Sequence, residues 1–363
     1  MPYWITQSLA ALPAFLWVAF GVGVPWALAL LPRHDWKDRL QVAAVAIIAG
    51  AAALTAWMFV LGTLGAIQAA QGHDGMLLTL PNVFAGTVVL AAAGAVIAWR
   101  RRSGNPSAGA ESAPRSREEW LLWALIGAAL IVRWIVISYW PFTAYDALWV
   151  YGYEGRLYSL VGYIPHTIAY YPQFLPLQYT FGQLVVGAVD DHAARAGLIL
   201  LHASAVLAVY VLGSRLINRR TGVIAAAIWA LYPHVGEWSR AGDLEILLAN
   251  LFTLAAAFFL LAWFGERPSL RYAALAGLML GIGMWTKPTM GAFIWGVALL
   301  GGLELLRVRF RWRDALPRIR VIFVTGAASI PFGAVWYVRN IALGHAAVDF
   351  PPDFWLTQAA RSG

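Results

Sequence analysis

The sequence predicts an all-α protein: a polytopic transmembrane helical bundle of about ten spanning helices, with one further helix that is juxtamembrane or half-inserted. Three observations predict it. A chain that is 61% hydrophobic and 12% charged, with mean hydropathy +0.66, has too much apolar surface for water to be its only solvent. Its apolar runs come one after another, most of them near the roughly 20 residues a helix needs to cross about 30 Å of hydrocarbon. The arginines and lysines gather in the short loops between those runs.

Taken in order, the runs lie near 9–31, 41–67, 82–99, 119–140, 174–189, 196–217, 222–236, 243–264, 272–286, 288–306 and 321–337. The first is too long for a signal-peptide core and has no basic segment before it, so it reads as a retained span. Between the third and fourth runs, the Ser, Gly, Pro and Ala of 103–116 predict a flexible linker. That linker divides three leading helices (1–99) from a core (119–340), with 100–118 as the cytoplasmic connection, 141–173 as a long outer loop and 341–363 as an outer tail.

The charge pattern then fixes the sides. Five basic groups are Arg33, Lys37 and Arg39; Arg100, Arg101, Arg102, Arg115 and Arg117; Arg219 and Arg220; Arg267 and Arg271; and Arg307, Arg309, Arg311, Arg313, Arg318 and Arg320. All should be cytoplasmic. If every run crossed, Arg219 and Arg220 would fall on the wrong side. One run must stay on its own side, and 174–189 is the candidate: short, begun by the Pro-interrupted stretch Tyr171–Pro176 and ended by Asp190 and Asp191. The net charge of +8 is thus an orientation signal, with no nucleic-acid partner implied. With no cysteine there is neither disulfide framework nor thiolate chemistry, and the 19 tryptophans suit the headgroup belts.

The unusual polar residues fall on the outer face. Asp146 follows the outer end of the span 119–140, where a carboxylate could take a proton from a hydroxyl or an amine, or could simply cap the helix after it. Glu154 and His166 are further candidates in the same loop, for acceptor contact or as plain loop residues. Asp243 and Glu245 stand where the start of the next helix favours negative charge; Asp243 could also be only its N-cap, and Glu245 is a further acceptor or loop candidate. Two apart on a helix they diverge, so joint metal binding would need Asp243 in the preceding loop. Lys287, in a tight corner before Pro288, either meets an anion such as a phosphate or snorkels. Arg133, inside a span, and Arg339, beyond the last one, run against the charge rule and call for anionic partners, internal carboxylates included.

Together these strings resemble the GT-C superfamily of membrane glycosyltransferases, within it the group of protein O-mannosyltransferases and aminoarabinose transferase. The residues carrying the resemblance are Tyr145-Asp146-Ala147, Tyr171-Pro172 to Pro176-Leu177, the run from Arg195 to Leu198, and the run from Gly222 to Ala227. It continues through Arg240 to Leu244, Gly277 to Gly283 leading into Trp285-Thr286-Lys287-Pro288, and Trp336 to Asn340. No string is specific singly, and their order and spacing make the likeness, over about 120–340.

The resemblance implies a GT-C-like core and an inverting sugar transfer from a polyprenyl-phosphate donor at the non-cytoplasmic face, in a bacterial plasma membrane. By position Asp146 looks like the general base, and Asp243 like the second acidic residue, which in some relatives binds a divalent metal. Lys287, Arg133 and Arg339 become candidates to hold the departing phosphate. No cofactor is certain; Mg or Mn on Asp146 and Asp243 is the candidate. The acceptor is a protein, a lipid or a glycan, and partner membrane subunits are an open expectation. Relatives usually continue past the Arg339-Asn340 step and lack the three leading spans, which leaves a fragment, a compact variant or a subunit as readings. Two alternatives stand beside the enzyme: a non-catalytic membrane subunit keeping the fold, and a lipid or solute transporter, disfavoured by the absence of an apparent internal repeat.

Overall fold

A computed structural model describes residues 2–102, 116–166, 171–265 and 268–348 of the chain. The described residues form helices and connecting loops, in the order α1 (Tyr3–Leu30), α2 (Arg39–Ala70), α3 (Leu80–Arg100), α4 (Arg117–Tyr139), α5 (Gly152–Val161), α6 (Phe174–Val186) and α7 (Asp191–Leu216). There follow α8 (Arg219–Leu231), α9 (Pro233–Ala241), α10 (Glu245–Phe264), α11 (Leu270–Met284), α12 (Pro288–Arg307), α13 (Trp312–Gly333) and α14 (Val335–Ala342).

Five of the starts are written in single side chains. Asp38, Ser116, Asn218 and Ser269 each accept a hydrogen bond from the backbone N–H three residues on, and so satisfy a free donor at the starts of α2, α4, α8 and α11. Asp190 does the same for α7. Gly162, Gly187 and Gly242, at φ +74°, +68° and +74°, end α5, α6 and α9 in the left-handed conformation that a side chain would strain.

Eight helices are long and apolar enough to cross a membrane: α1, α2, α3, α4, α7, α10, α12 and α13. Two shorter helices connect the same two ends of the bundle. α8 starts with Arg219 on Glu119 at one end and finishes in carbonyls held by Arg133 near the other. α11 starts with Tyr272 on Asp35 and leads to Lys287 beside Glu245. The membrane-crossing helices by length and composition among the described residues are thus eight, against about ten expected. α11 lies parallel to α13, with Gly277 and Gly281 letting the carbonyls of Thr325 and Ser329 approach closely.

The basic loops do meet at one end. Arg33 donates to the Arg102 carbonyl, Arg271 to that of Leu30, and Arg219 pairs with Glu119 at 2.8 Å. A buried knot closes this end: the Asp35 carboxylate accepts from Arg215, Tyr272 and Gln41 at 2.8, 2.8 and 3.0 Å. Of the predicted linker, 103–115 lies outside the described residues, as does the tail from 349 onward.

In the segment 174–189, α6 is 13 residues long and is not among the membrane-crossing helices, as expected of a run that does not span. Every residue from Phe174 to Gln183 is buried, so protein encloses it and lipid does not. The leading helices supply part of that enclosure. Gln178 on α6 donates to Thr55 Oγ1 and to the Ala51 carbonyl of α2 at 2.7 and 3.1 Å, and Ser204 on α7 reaches the Ala44 carbonyl at 2.9 Å. The three leading helices are therefore packed into the bundle.

Candidate active site

At the end opposite the basic loops, the connections after α4, α6, α9 and α11 come together, and Arg195 is the reason the first and third are held. Its side chain, wholly buried near the start of α7, donates to the carbonyls of Trp140 and Pro141 after α4 and of Arg240 in α9, with its guanidinium 5.8 Å from the Phe142 ring centre. Tyr179 of α6 adds a bond of 2.6 Å to the Gly242 carbonyl. A Cβ at Gly242 would press on Phe142 and Arg195, so glycine is needed there for space as well as for φ. The segments bearing Asp146 and Asp243 are thus fixed against one another. Arg195 belongs to a string that the resemblance picked out, but its role was missed, because its three partners lie 45 to 55 residues away in the sequence.

Asp146 is half-exposed in the first turn of the helical stretch leading into α5, and its carboxylate makes no capping hydrogen bond. Asp243 lies in the loop before α10 and accepts from the Leu244 N–H at 2.9 Å. Burial first, then the Glu245 carboxylate, push its pKa up to about 7, and Asp146 contributes in the same direction. The Lys287 Nζ sits 3.4 Å from Glu245 Oε1 and 5.9 Å from the centre of the Tyr171 ring. Tyr171 packs edge-on against Tyr151, ring centres 5.4 Å apart. Tyr151 is fully buried and its hydroxyl has no hydrogen-bond partner among the described residues; burial, Tyr171 and the carboxylates of Asp243, Asp146 and Glu245 all raise its pKa. It too escaped the sequence reading, although its place four residues after Ala147 on one buried stripe is a visible signal.

Glu154 and Tyr158 continue that stripe along α5 and are completely buried, so Glu154 is a helical core residue rather than part of a loop. They face Arg339, whose charge they support electrostatically while burial lowers its pKa. Arg339 also donates to Thr63 Oγ1 of α2 at 3.1 Å and to the Ile164 carbonyl at 2.6 Å. Beside it opens a cavity of about 670 Å³ lined by residues including Tyr163, Ile164, His166 and His345. His166 stacks on His345 with ring centres 3.7 Å apart.

Arg133 stands apart from both groups. It donates to the carbonyls of Trp229 and Ala230 at 3.2 and 2.5 Å, where the last carbonyls of α8 lack helical partners. Its anionic partner is therefore the negative end of a helix rather than a carboxylate. Among the described residues no group of three or more His, Asp or Glu side chains is spaced to hold a metal ion, although Asp146, Asp243 and Glu245 lie near enough to act on one another electrostatically.

Residues 172–332 match the family model described as Dolichyl-phosphate-mannose-protein mannosyltransferase. Over this stretch, somewhat under half of the chain, the protein is similar to the GT-C membrane glycosyltransferases, and the match supports glycosyl transfer as its activity. The matched stretch runs from just before α6 to the end of α13. This part of the chain contains Arg195, Asp243, Glu245 and Lys287 and leaves Arg133, Asp146, Glu154, His166 and Arg339 outside it. No curated protein and no solved structure matches the chain.

Proposed function

We propose that this protein is a glycosyltransferase that takes its sugar from a polyprenyl-phosphate donor and delivers it to an acceptor at the non-cytoplasmic face of a bacterial plasma membrane, with inversion. The observation that carries this reading is the meeting of Asp146, Asp243, Glu245 and Lys287 at the end of the bundle away from the basic loops. The basic loops mark the cytoplasmic side.

Asp146, uncommitted by any cap, acts as the general base. It accepts the proton from an acceptor hydroxyl or amine as that atom bonds to the anomeric carbon, and the sugar–phosphate oxygen bond breaks with its electron pair leaving on the phosphate. Lys287 and Arg339 supply the positive charge that this leaving group demands. Arg133 has no part in the phosphate set, because it stands apart from Lys287 and Arg339, at the end of α8. Asp243, titrating near neutrality, holds the acceptor hydroxyl in either protonation state. The acceptor class, protein, lipid or glycan, is the open half of the reaction.

The test is transfer from a radiolabelled polyprenyl-phosphate sugar in membranes containing the wild type or Asp146→Asn. Loss of about a hundredfold or more in rate is expected for removal of a general base. Equal transfer by both would overturn the assignment of Asp146.

A further inference from the structure

The turn between α12 and α13 lies at the basic end, remote from the chemistry above. From Glu304 to Arg320 it holds six arginines, at 307, 309, 311, 313, 318 and 320, against Glu304 and Asp314 alone. Arg307 and Arg318 are spent on Glu304, at 2.7 and 2.9 Å, and this pairing closes the hairpin. Arg309, Arg311, Arg313 and Arg320 are exposed and have no carboxylate within ion-pairing distance among the described residues. Between the first three stand Phe310 and Trp312, 70% and 56% exposed.

The backbone is strained to make this display. Arg309 and Phe310 adopt φ +52° and +58°, two consecutive left-handed residues, neither of them glycine. Their N–H groups return to the carbonyls of Leu306 and Leu305 at 3.0 and 2.8 Å and stop α12 within one turn. A glycine would close the helix at lower conformational cost. An orientation signal needs only positive charge near a span end. It needs neither the left-handed pair nor aromatic residues alternating with the arginines.

We infer that the α12–α13 hairpin is a binding site for the headgroup of an anionic phospholipid: Arg309, Arg311 and Arg313 take the phosphate, and Phe310 and Trp312 enter the acyl boundary beside it. The short turn between two spans holds these side chains at headgroup level, where amphipathic rings favour the interface. Planar guanidinium groups match phosphate oxygens in pairs. A lipid surface, unlike a soluble anion, uses the aromatic residues and the arginines together.

The full chain in detergent is titrated with phosphatidylglycerol or phosphatidylcholine and the bound lipid counted by native mass spectrometry. The wild type should retain phosphatidylglycerol in preference to phosphatidylcholine. Arg309→Gln, Arg311→Gln and Arg313→Gln together should weaken retention by about tenfold or more. A control removing the same charge at the same end, Arg39→Gln, Arg100→Gln and Arg117→Gln, should leave retention intact. Equal loss in both triples reduces the effect to bulk charge and overturns the site, as does equal retention of phosphatidylcholine. Displacement of the lipid by excess inorganic phosphate, with Phe310→Ser and Trp312→Ser silent, would overturn the headgroup in favour of a soluble anion. Arg309→Gly with Phe310→Gly gives a second measure should the glutamine triple fail to fold. It should melt higher than the wild type and bind the lipid less; unchanged binding with a higher melting point would overturn the proposal.

Discussion

Replacing Arg195 by methionine removes the clamp and leaves a side chain of similar reach. Three carbonyls, of Trp140, Pro141 and Arg240, lose a charged donor in a buried place. At about 1–3 kcal/mol for each orphaned acceptor, the gross loss is on the order of 3–9 kcal/mol. Against it, the variant escapes the several kcal/mol spent on burying a cation, which leaves a net destabilisation of about 3 kcal/mol. In detergent that should lower the melting temperature by about 6–12 °C, taking roughly 2–4 °C per kcal/mol for a large domain. The loops bearing Asp146 and Asp243 should also lose register, so kcat should fall more than KM changes. Arg195→Lys, with a single point charge for three diverging carbonyls, should recover part of the stability and less of the rate. Melting within about 1 °C of the wild type, with transfer unaltered, would refute the reasoning.

Asp243 titrates near 7 in the folded protein against an ordinary 3.8, so folding takes up a proton between those values. That contribution favours the folded state most at low pH and fades as pH rises from about 4 through 7; Asp243→Asn should flatten this dependence in thermal melts. Glu245→Gln, which removes the second-largest cause of the shift, should move the associated limb of the pH–rate profile downward. Gly242→Ala should cost about 1–2 kcal/mol in backbone strain, and more through contact with Phe142, measured by denaturant or heat. Asp35→Ala, by stranding Arg215 beneath the basic end, should cost about 3–5 kcal/mol while leaving the pH–rate profile unshifted.

The bundle was legible because lipid allows few alternatives: helix length, apolar runs and the side taken by arginine specify crossings almost without reference to tertiary contact. The caps at Asp38, Ser116, Asn218 and Ser269 were equally local. The burial of α6 was not local, since its run looks the same whether lipid or protein surrounds it; only the contacts of Gln178 with α2 decide. Asp146, Asp243 and Lys287 could be found as polar residues at span ends. Tyr151 and Arg195 were missed, one resembling an ordinary interfacial aromatic and the other a charge like any other at a helix start. Glu154 was expected as an acceptor contact or a loop residue, and Arg339, far along the chain, is what makes its burial tolerable.

α11 is only 15 residues long, yet it carries the chain from the basic end to the corner at Lys287. At 1.5 Å per residue it rises about 22 Å, some 8 Å less than a hydrocarbon core of about 30 Å. With its start level with the other basic-end helices, α11 would leave the corner at Lys287 below the headgroup plane on the far side. In the proposed reaction, a phosphate hung on a membrane-bound chain would then reach Lys287 by sliding sideways and slightly inward, without being lifted from its leaflet. The partner arriving from water must travel down to meet it, through whatever opening the exposed edge around Asp146 leaves.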